Sequence, residues 1–188
     1  MNPSLQTSLQ TSVELLDQAV ELLPPLGQNF FNRRIALCFN ASPGAHVRHV
    51  LDHYLSLMRG LPGGRIDYET RARDPRLESD LDYAMAKMDE IQSWLFGRVL
   101  MNDVPLQVRA ESYVPPETPA WATTTLLREL EFLQSHTIHH YAILGVMVRL
   151  AGFATTPHFG LAPSTIRFLK HQDSSSASAE DAQLPKRF

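Results

Sequence analysis

The segment TTTLLRELEFLQSHTIHHYAILGVMVRL, residues 123–150, decides how this sequence folds. Its apolar residues recur every three or four positions, which predicts one long amphipathic helix that Gly152 closes. His136, His139 and His140 lie inside this otherwise apolar helix. The helix needs other helices against which to bury its apolar face, so the fold depends on which segments share its period.

Three further segments show helical spacing of apolar residues. The first runs from Ser4 to Leu23 and should end at Pro24–Pro25, the second runs from Pro43 to Gly60, and the third spans residues 76–97. Together with residues 123–150 they predict an all-α protein, an up-and-down four-helix bundle with long inter-helix loops.

The remaining segments predict smaller elements. Residues 98–114 alternate in polarity and could form one short β-hairpin, with Asn102–Asp103 as its turn. A short helix should begin near Ser164, which is a suitable N-cap. We expect one domain over residues 1–171, followed by a disordered and dispensable Ser/Ala-rich tail over residues 172–188.

Composition excludes several classes of partner. The net charge of −3 gives no reason to expect nucleic acid or an anionic membrane as partner. The N-terminal stretch does not resemble a signal peptide, and no apolar run reaches the length of about 18 residues that a membrane span requires. Cys38 is the single cysteine and cannot form an internal disulfide, so we expect a reducing, cytoplasmic location.

The histidines of the long helix raise the question of what buried imidazoles do there. His136 and His140 are four positions apart and lie about 40° from each other around the helix, on the apolar side. Two explanations remain open. Each ring could donate a hydrogen bond to a carbonyl or carboxylate and have a purely structural role. Alternatively, the pair could provide two ligands to one metal ion, as histidines at this spacing do in metalloproteins.

A metal site on this pair needs a third ligand, and the second helix offers His46, His49 and His53. All three fall within about 60° of one another around that helix. The apolar period alone favours His46 or His53. Because Thr137 stands where a zinc protease carries its catalytic glutamate, the chain is not a metalloprotease of that type.

The segments PGAHVRHVLDH, residues 43–53, and SHTIHHYAILGVMVRLAG, residues 135–152, together resemble the DinB-like (DinB/YfiT) metal-binding four-helix-bundle superfamily. That resemblance implies a metal site whose ligands fall on His49, His136 and His140. It covers most of residues 43–152. Three neutral imidazoles would suit zinc or nickel, and iron(II) is a further candidate. Such a site leaves coordination positions open, which is typical of a catalytic metal.

The resemblance also implies two function classes. Characterised members of the similar families use their metal to activate a low-molecular-weight thiol, so the first expectation is a metal-dependent, thiol-dependent transferase with a small-molecule substrate. The alternative is a non-catalytic metal- or ligand-binding, stress-associated protein. Either protein could be a homodimer. The sequence leaves open whether the chain is an enzyme. Glu129 lies on the histidine face, but about 10 Å from His136 along the helix.

The polar loop before the third helix carries Arg71 and Arg73. One interpretation is an ordinary solvated loop. The other is that both arginines face the histidine cleft and bind the carboxylate of an anionic substrate through paired hydrogen bonds.

Overall fold

The structure is a computed structural model that describes residues 2–98, 102–110 and 121–181, with side chains described as far as residue 172. Over these residues the chain is mostly helical and carries a small three-stranded sheet. The elements in chain order are α1 (Pro3–Phe31), α2 (Pro43–Gly60), β1 (Arg65–Asp67), α3 (Arg76–Ser79), α4 (Leu81–Phe96), β2 (Pro105–Arg109), β3 (Ala122–Thr125), α5 (Leu126–Leu150) and α6 (Pro163–Asp181).

The core lies between four long helices. α1 packs against α4 and α5, and α2 packs against the same two helices. Each helix contributes one apolar face, so a continuous set of buried side chains joins them, including Leu16, Leu51, Ile91 and Leu130. None of the described helices is long and apolar enough to cross a membrane.

The prediction of α2 is confirmed at both ends, because the residues that limit it act locally. Ser42 accepts a hydrogen bond from the Ala45 amide as N-cap, and Pro43 occupies the first helical position. Gly44 is needed for packing, since a Cβ there would lie 2.1 Å from the Glu78 carbonyl oxygen. This close approach presses the first turn of α2, which carries His46, against α3.

The predicted end of the first helix at Pro24–Pro25 is wrong. α1 includes both prolines and breaks only at Gly27, where φ is 74°. Tertiary contacts hold the segment beyond the prolines in place: Phe31 is 1% exposed, and the Gln28 side chain accepts a hydrogen bond from the Leu81 amide. Burial and this cross-link outweigh the local preference of proline for ending a helix.

The third and fourth predicted helices, in contrast, are shorter than expected. Asp80 divides the third one, because its carboxylate accepts from the Tyr83 amide and caps α4. The fourth begins at Leu126 rather than at Thr123. Thr125 is its N-cap, and the residues before it belong to β3.

The chain is therefore not all-α, and the predicted hairpin with its turn at Asn102–Asp103 is wrong. The sheet has the order β1-β2-β3, with β1 parallel and β3 antiparallel to β2. Both edges of β2 are thus taken by strands distant in sequence, which leaves no edge for a strand before the expected turn. Other parts of the predicted hairpin, residues 99–101 and 111–114, lie outside the described residues.

The expected tail begins inside α6, which continues to Asp181. Residues 182–188 lie outside the described residues. That the residues after Gln172 are dispensable stays a prediction.

Candidate metal centre

α2 and α5 bring the histidines together because they run in opposite directions side by side. His46 meets His140 with ring centroids 5.3 Å apart, and about two turns further along α2 His53 meets His136 at 4.2 Å. His49 lies between these pairs, with its ring centroid 4.8 Å from that of His136 and 4.6 Å from that of His140.

His49, His136 and His140 form a group that could hold a metal ion, because one nitrogen from each lies within 4.8 Å of the other two. Tetrahedral zinc with Zn–N distances of about 2.0–2.1 Å requires ligand nitrogens about 3.4 Å apart. Side-chain movements on the order of 1 Å would close that difference. All three side chains are partly buried. The structure therefore brings together the three residues that the sequence predicted as ligands.

Burial keeps the imidazoles of His136 and His140 neutral, which is the form that binds a metal. Burial, reinforced by the neighbouring histidines, lowers the pKa of His136 from 6.5 to about 2. The same causes lower the pKa of His140 to about 3. Protons therefore compete little for these two nitrogens near neutral pH.

The alternative in which every ring nitrogen is satisfied by the protein does not hold at His136. Its Nε2 atom is buried and has no hydrogen-bond partner among the described residues. A buried nitrogen of this kind is costly unless it binds something. An unsatisfied nitrogen within a group of three imidazoles fits the donor chemistry of a transition metal.

His46 and His53, the other two candidates for the third ligand, lie beside the group and contact its members. Nδ1 of His46 is 3.0 Å from Nδ1 of His140, so one of the two nitrogens donates to the other. Nδ1 of His53 is 2.7 Å from the His49 carbonyl oxygen. Because a carbonyl can only accept, Nδ1 of His53 carries the proton. Sequence periodicity could not separate the three histidines of α2, since all of them face the same cluster.

Arg71 and Arg73 lie in a loop that folds over Asp52 of α2. The Arg71 side chain is 8% exposed and donates to the Tyr68 carbonyl, while Arg73 is exposed and its backbone amide bonds Asp52. Burial raises the pKa of the Asp52 carboxyl, and the charges of nearby arginines, including Arg71, oppose that rise. These contacts account for the conformation of the loop. A role for either arginine in binding substrate stays a prediction.

Two aromatic rings form a wall of the histidine cluster. Phe132 stacks on His136 at 5.7 Å between centroids, and Tyr68 lies 5.3 Å from His53 and 5.4 Å from Phe132. Helical spacing alone places Phe132 on the histidine face of α5, one turn before His136. Tyr68 comes from the loop after α2, and its position could not be read from helical spacing.

Comparison with known proteins adds one partial similarity. No protein-family model matches the sequence, and no solved structure matches it significantly. FK506-binding protein 5 of Rhizopus delemar is 30% identical to this chain over 108 residues. The match covers 57% of this chain and 28% of that protein. The chain thus spans less than a third of the length of this relative, and the match shows similarity to one part of it.

Proposed function

We propose that this chain is a DinB-like metal-dependent protein in which His49, His136 and His140 hold one divalent transition metal. The observation that carries the proposal is the three-nitrogen group within 4.8 Å, with one buried nitrogen that the described part of the protein leaves without a partner. In this proposal α1, α2, α4 and α5 are the four helices of the DinB-like bundle. Zinc or nickel suits neutral imidazoles best, and iron(II) is the third candidate.

The chain's own residues would prepare this site in three ways. Burial keeps His136 and His140 unprotonated at neutral pH. The contact between His46 and His140 fixes the orientation of the His140 ring. The rings of Tyr68 and Phe132 shield one side of the cluster from water.

A metal at this site would act as a Lewis acid and lower the pKa of a thiol or water bound in its open positions. On this basis we propose a thiol-dependent transferase acting on a small molecule in the cytoplasm, with neither nucleic acid nor membrane as partner. Cys38 is buried, so the thiol would come from a small molecule rather than from this side chain.

The second candidate is a non-catalytic metal- or ligand-binding, stress-associated protein. One observation favours it: Glu129, the carboxylate on the histidine face of α5, lies about 10 Å from His136 along the helix. A general base must come within hydrogen-bond reach of the proton it abstracts, so Glu129 does not meet that condition for an atom held by the histidines.

Cobalt substitution separates these candidates. Cobalt-loaded protein should show a visible spectrum that changes on adding a small thiol, with a new sulfur-to-metal charge-transfer band in the near ultraviolet. His139→Ala, which removes an exposed histidine outside the three-nitrogen group, is the matched control for His136→Ala. A cobalt spectrum that ignores thiols of every kind would exclude thiol activation and leave either activated water or a metal site without turnover. Light scattering on the same sample would test for a homodimer.

A further inference from the structure

Glu129 is a buried carboxylate that lacks a cationic partner. Its side chain is in the first turn of α5 and is 5% exposed. It accepts a hydrogen bond of 2.7 Å from the Thr124 hydroxyl, and no lysine, arginine or histidine among the described residues forms an ion pair with it. The helix N-terminus and one hydroxyl only partly compensate a buried negative charge. Glu129 therefore has unused capacity to bind a cation.

Glu129 lines a cleft of about 270 Å³ between the start of α5 and the sheet. Tyr68 and Phe132 form its aromatic side, Thr124 and Val108 belong to its sheet side, and the exposed Arg128 lies at its edge. The Tyr68 hydroxyl, on a side chain that is 2% exposed, lies next to Glu129 without a well-oriented hydrogen bond to any described residue. Two buried polar side chains thus line one cleft, and the Tyr68 hydroxyl has hydrogen-bonding capacity to spare.

The lining selects the charge of a ligand. A protonated amine could donate to the Glu129 carboxylate and to the Tyr68 oxygen, and its positive charge is attracted by the faces of Tyr68 and Phe132. A metal ion would find one carboxylate only, and an anion would be repelled by it. The volume is at the small end of the range for ligand pockets and fits a single ring or a short chain.

We propose that this cleft, referred to below as the Glu129 cleft, is a binding site for a small primary organic ammonium ion. The cleft adjoins the histidine cluster, because Phe132 and Tyr68 contact both. It has ligand-binding groups of its own, so it does not depend on a metal held by the histidines.

Calorimetric titration of the full chain at pH 7 tests the site with three probes of equal shape: benzylammonium, benzyl alcohol and benzoate. Benzylammonium should bind at least about tenfold more tightly than the alcohol, and benzoate should not bind, because only the first supplies the missing positive charge. The same order should hold in metal-free protein. Binding of benzylammonium to metal-free protein can therefore be judged whether or not the histidines hold a metal. Equal affinity for benzylammonium and benzyl alcohol would overturn the proposal. Failure of all three probes to bind would also overturn it.

Glu129→Gln tests the residue directly, since it removes the charge and keeps the shape. We expect it to reduce the affinity for benzylammonium at least about tenfold. Glu131→Gln, which changes an exposed glutamate two positions away, should leave that affinity unchanged. If Glu129→Gln does not fold, the changes in NMR chemical shift of the backbone amides of the unaltered protein on adding benzylammonium decide the question. Shifts centred on Glu129, Tyr68 and Phe132 support the site, and shifts elsewhere overturn it.

Discussion

Replacing His136 by alanine is the sharpest perturbation of the proposed metal centre. His136 provides one of the three grouped nitrogens and carries the buried Nε2 atom that has no partner among the described residues. His139→Ala is the matched control, because that histidine is exposed, lies on the same helix and is outside the group. Both changes remove one imidazole, so only the position of the ring differs.

The expected magnitude follows from the number of ligands. Structural zinc sites with four ligands bind with about 10–16 kcal/mol, which is roughly 3 kcal/mol per ligand. Loss of one of three ligands should therefore weaken zinc binding on the order of a hundredfold. Stability provides a second scale. Zinc at a hundred times its dissociation constant should stabilise the unaltered protein by about 2.7 kcal/mol, or roughly 5–11 °C in Tm for a chain of this size.

The assay is competition for zinc with a chromophoric chelator, together with thermal melting in the presence and absence of zinc. His136→Ala should lose both the affinity and the zinc-dependent rise in Tm, while His139→Ala retains them. The reasoning would be refuted if both variants bound zinc within a factor of about three of the unaltered protein, since about 3 kcal/mol could not then come from His136.

Four further predictions concern the surroundings of the site. Because the pKa values of His136 and His140 are lowered in the folded protein, the unfolded chain takes up protons below pH 6.5 that the folded metal-free chain does not. Urea denaturation should therefore show the free energy of unfolding falling as the pH drops from 7.5 to 5, by up to about 1.4 kcal/mol per pH unit for each histidine. A free energy of unfolding that does not change with pH would contradict the buried, neutral state of these histidines. His46→Ala should weaken zinc binding about tenfold in the chelator assay through loss of its contact with His140, and a loss as large as the roughly hundredfold one expected for His136→Ala would make His46 a ligand itself. Gly44→Ala should destabilise the protein by about 1–3 kcal/mol in urea, because the added Cβ meets a backbone carbonyl of α3, and unchanged stability would show that the approach is looser than described. Truncation after Gln172 should leave Tm unchanged, and a loss of several degrees would mean that the end of α6 contributes to the core.

Local signals in the sequence were sufficient to predict an element whose ends are fixed by residues such as proline and glycine. Pro43 and Gly60 bound α2, and the i, i+4 spacing placed His136 and His140 on one face of α5. The same reasoning identified His49 only through the family resemblance. Period alone could not do so, because the structure collects all three histidines of α2 around the α5 pair.

The remaining features depend on contacts between segments far apart in sequence. The sheet joins residues 65–67, 105–109 and 122–125, and strands this short give little periodic signal. The β-branched run before Leu126 was assigned to the helix for that reason. The Glu129 cleft exists only because this sheet lies beside the first turn of α5, so Glu129 read from sequence alone was a carboxylate too far from His136 to have a role.

Elemental analysis of untagged protein purified from medium supplemented with zinc, nickel and iron tests whether the three histidines hold a metal. We expect one equivalent of a divalent transition metal per chain, lost when His49, His136 or His140 is replaced by alanine and kept when His139 is replaced. Metal at trace level only, or one full equivalent that survives replacement of His136, would contradict it.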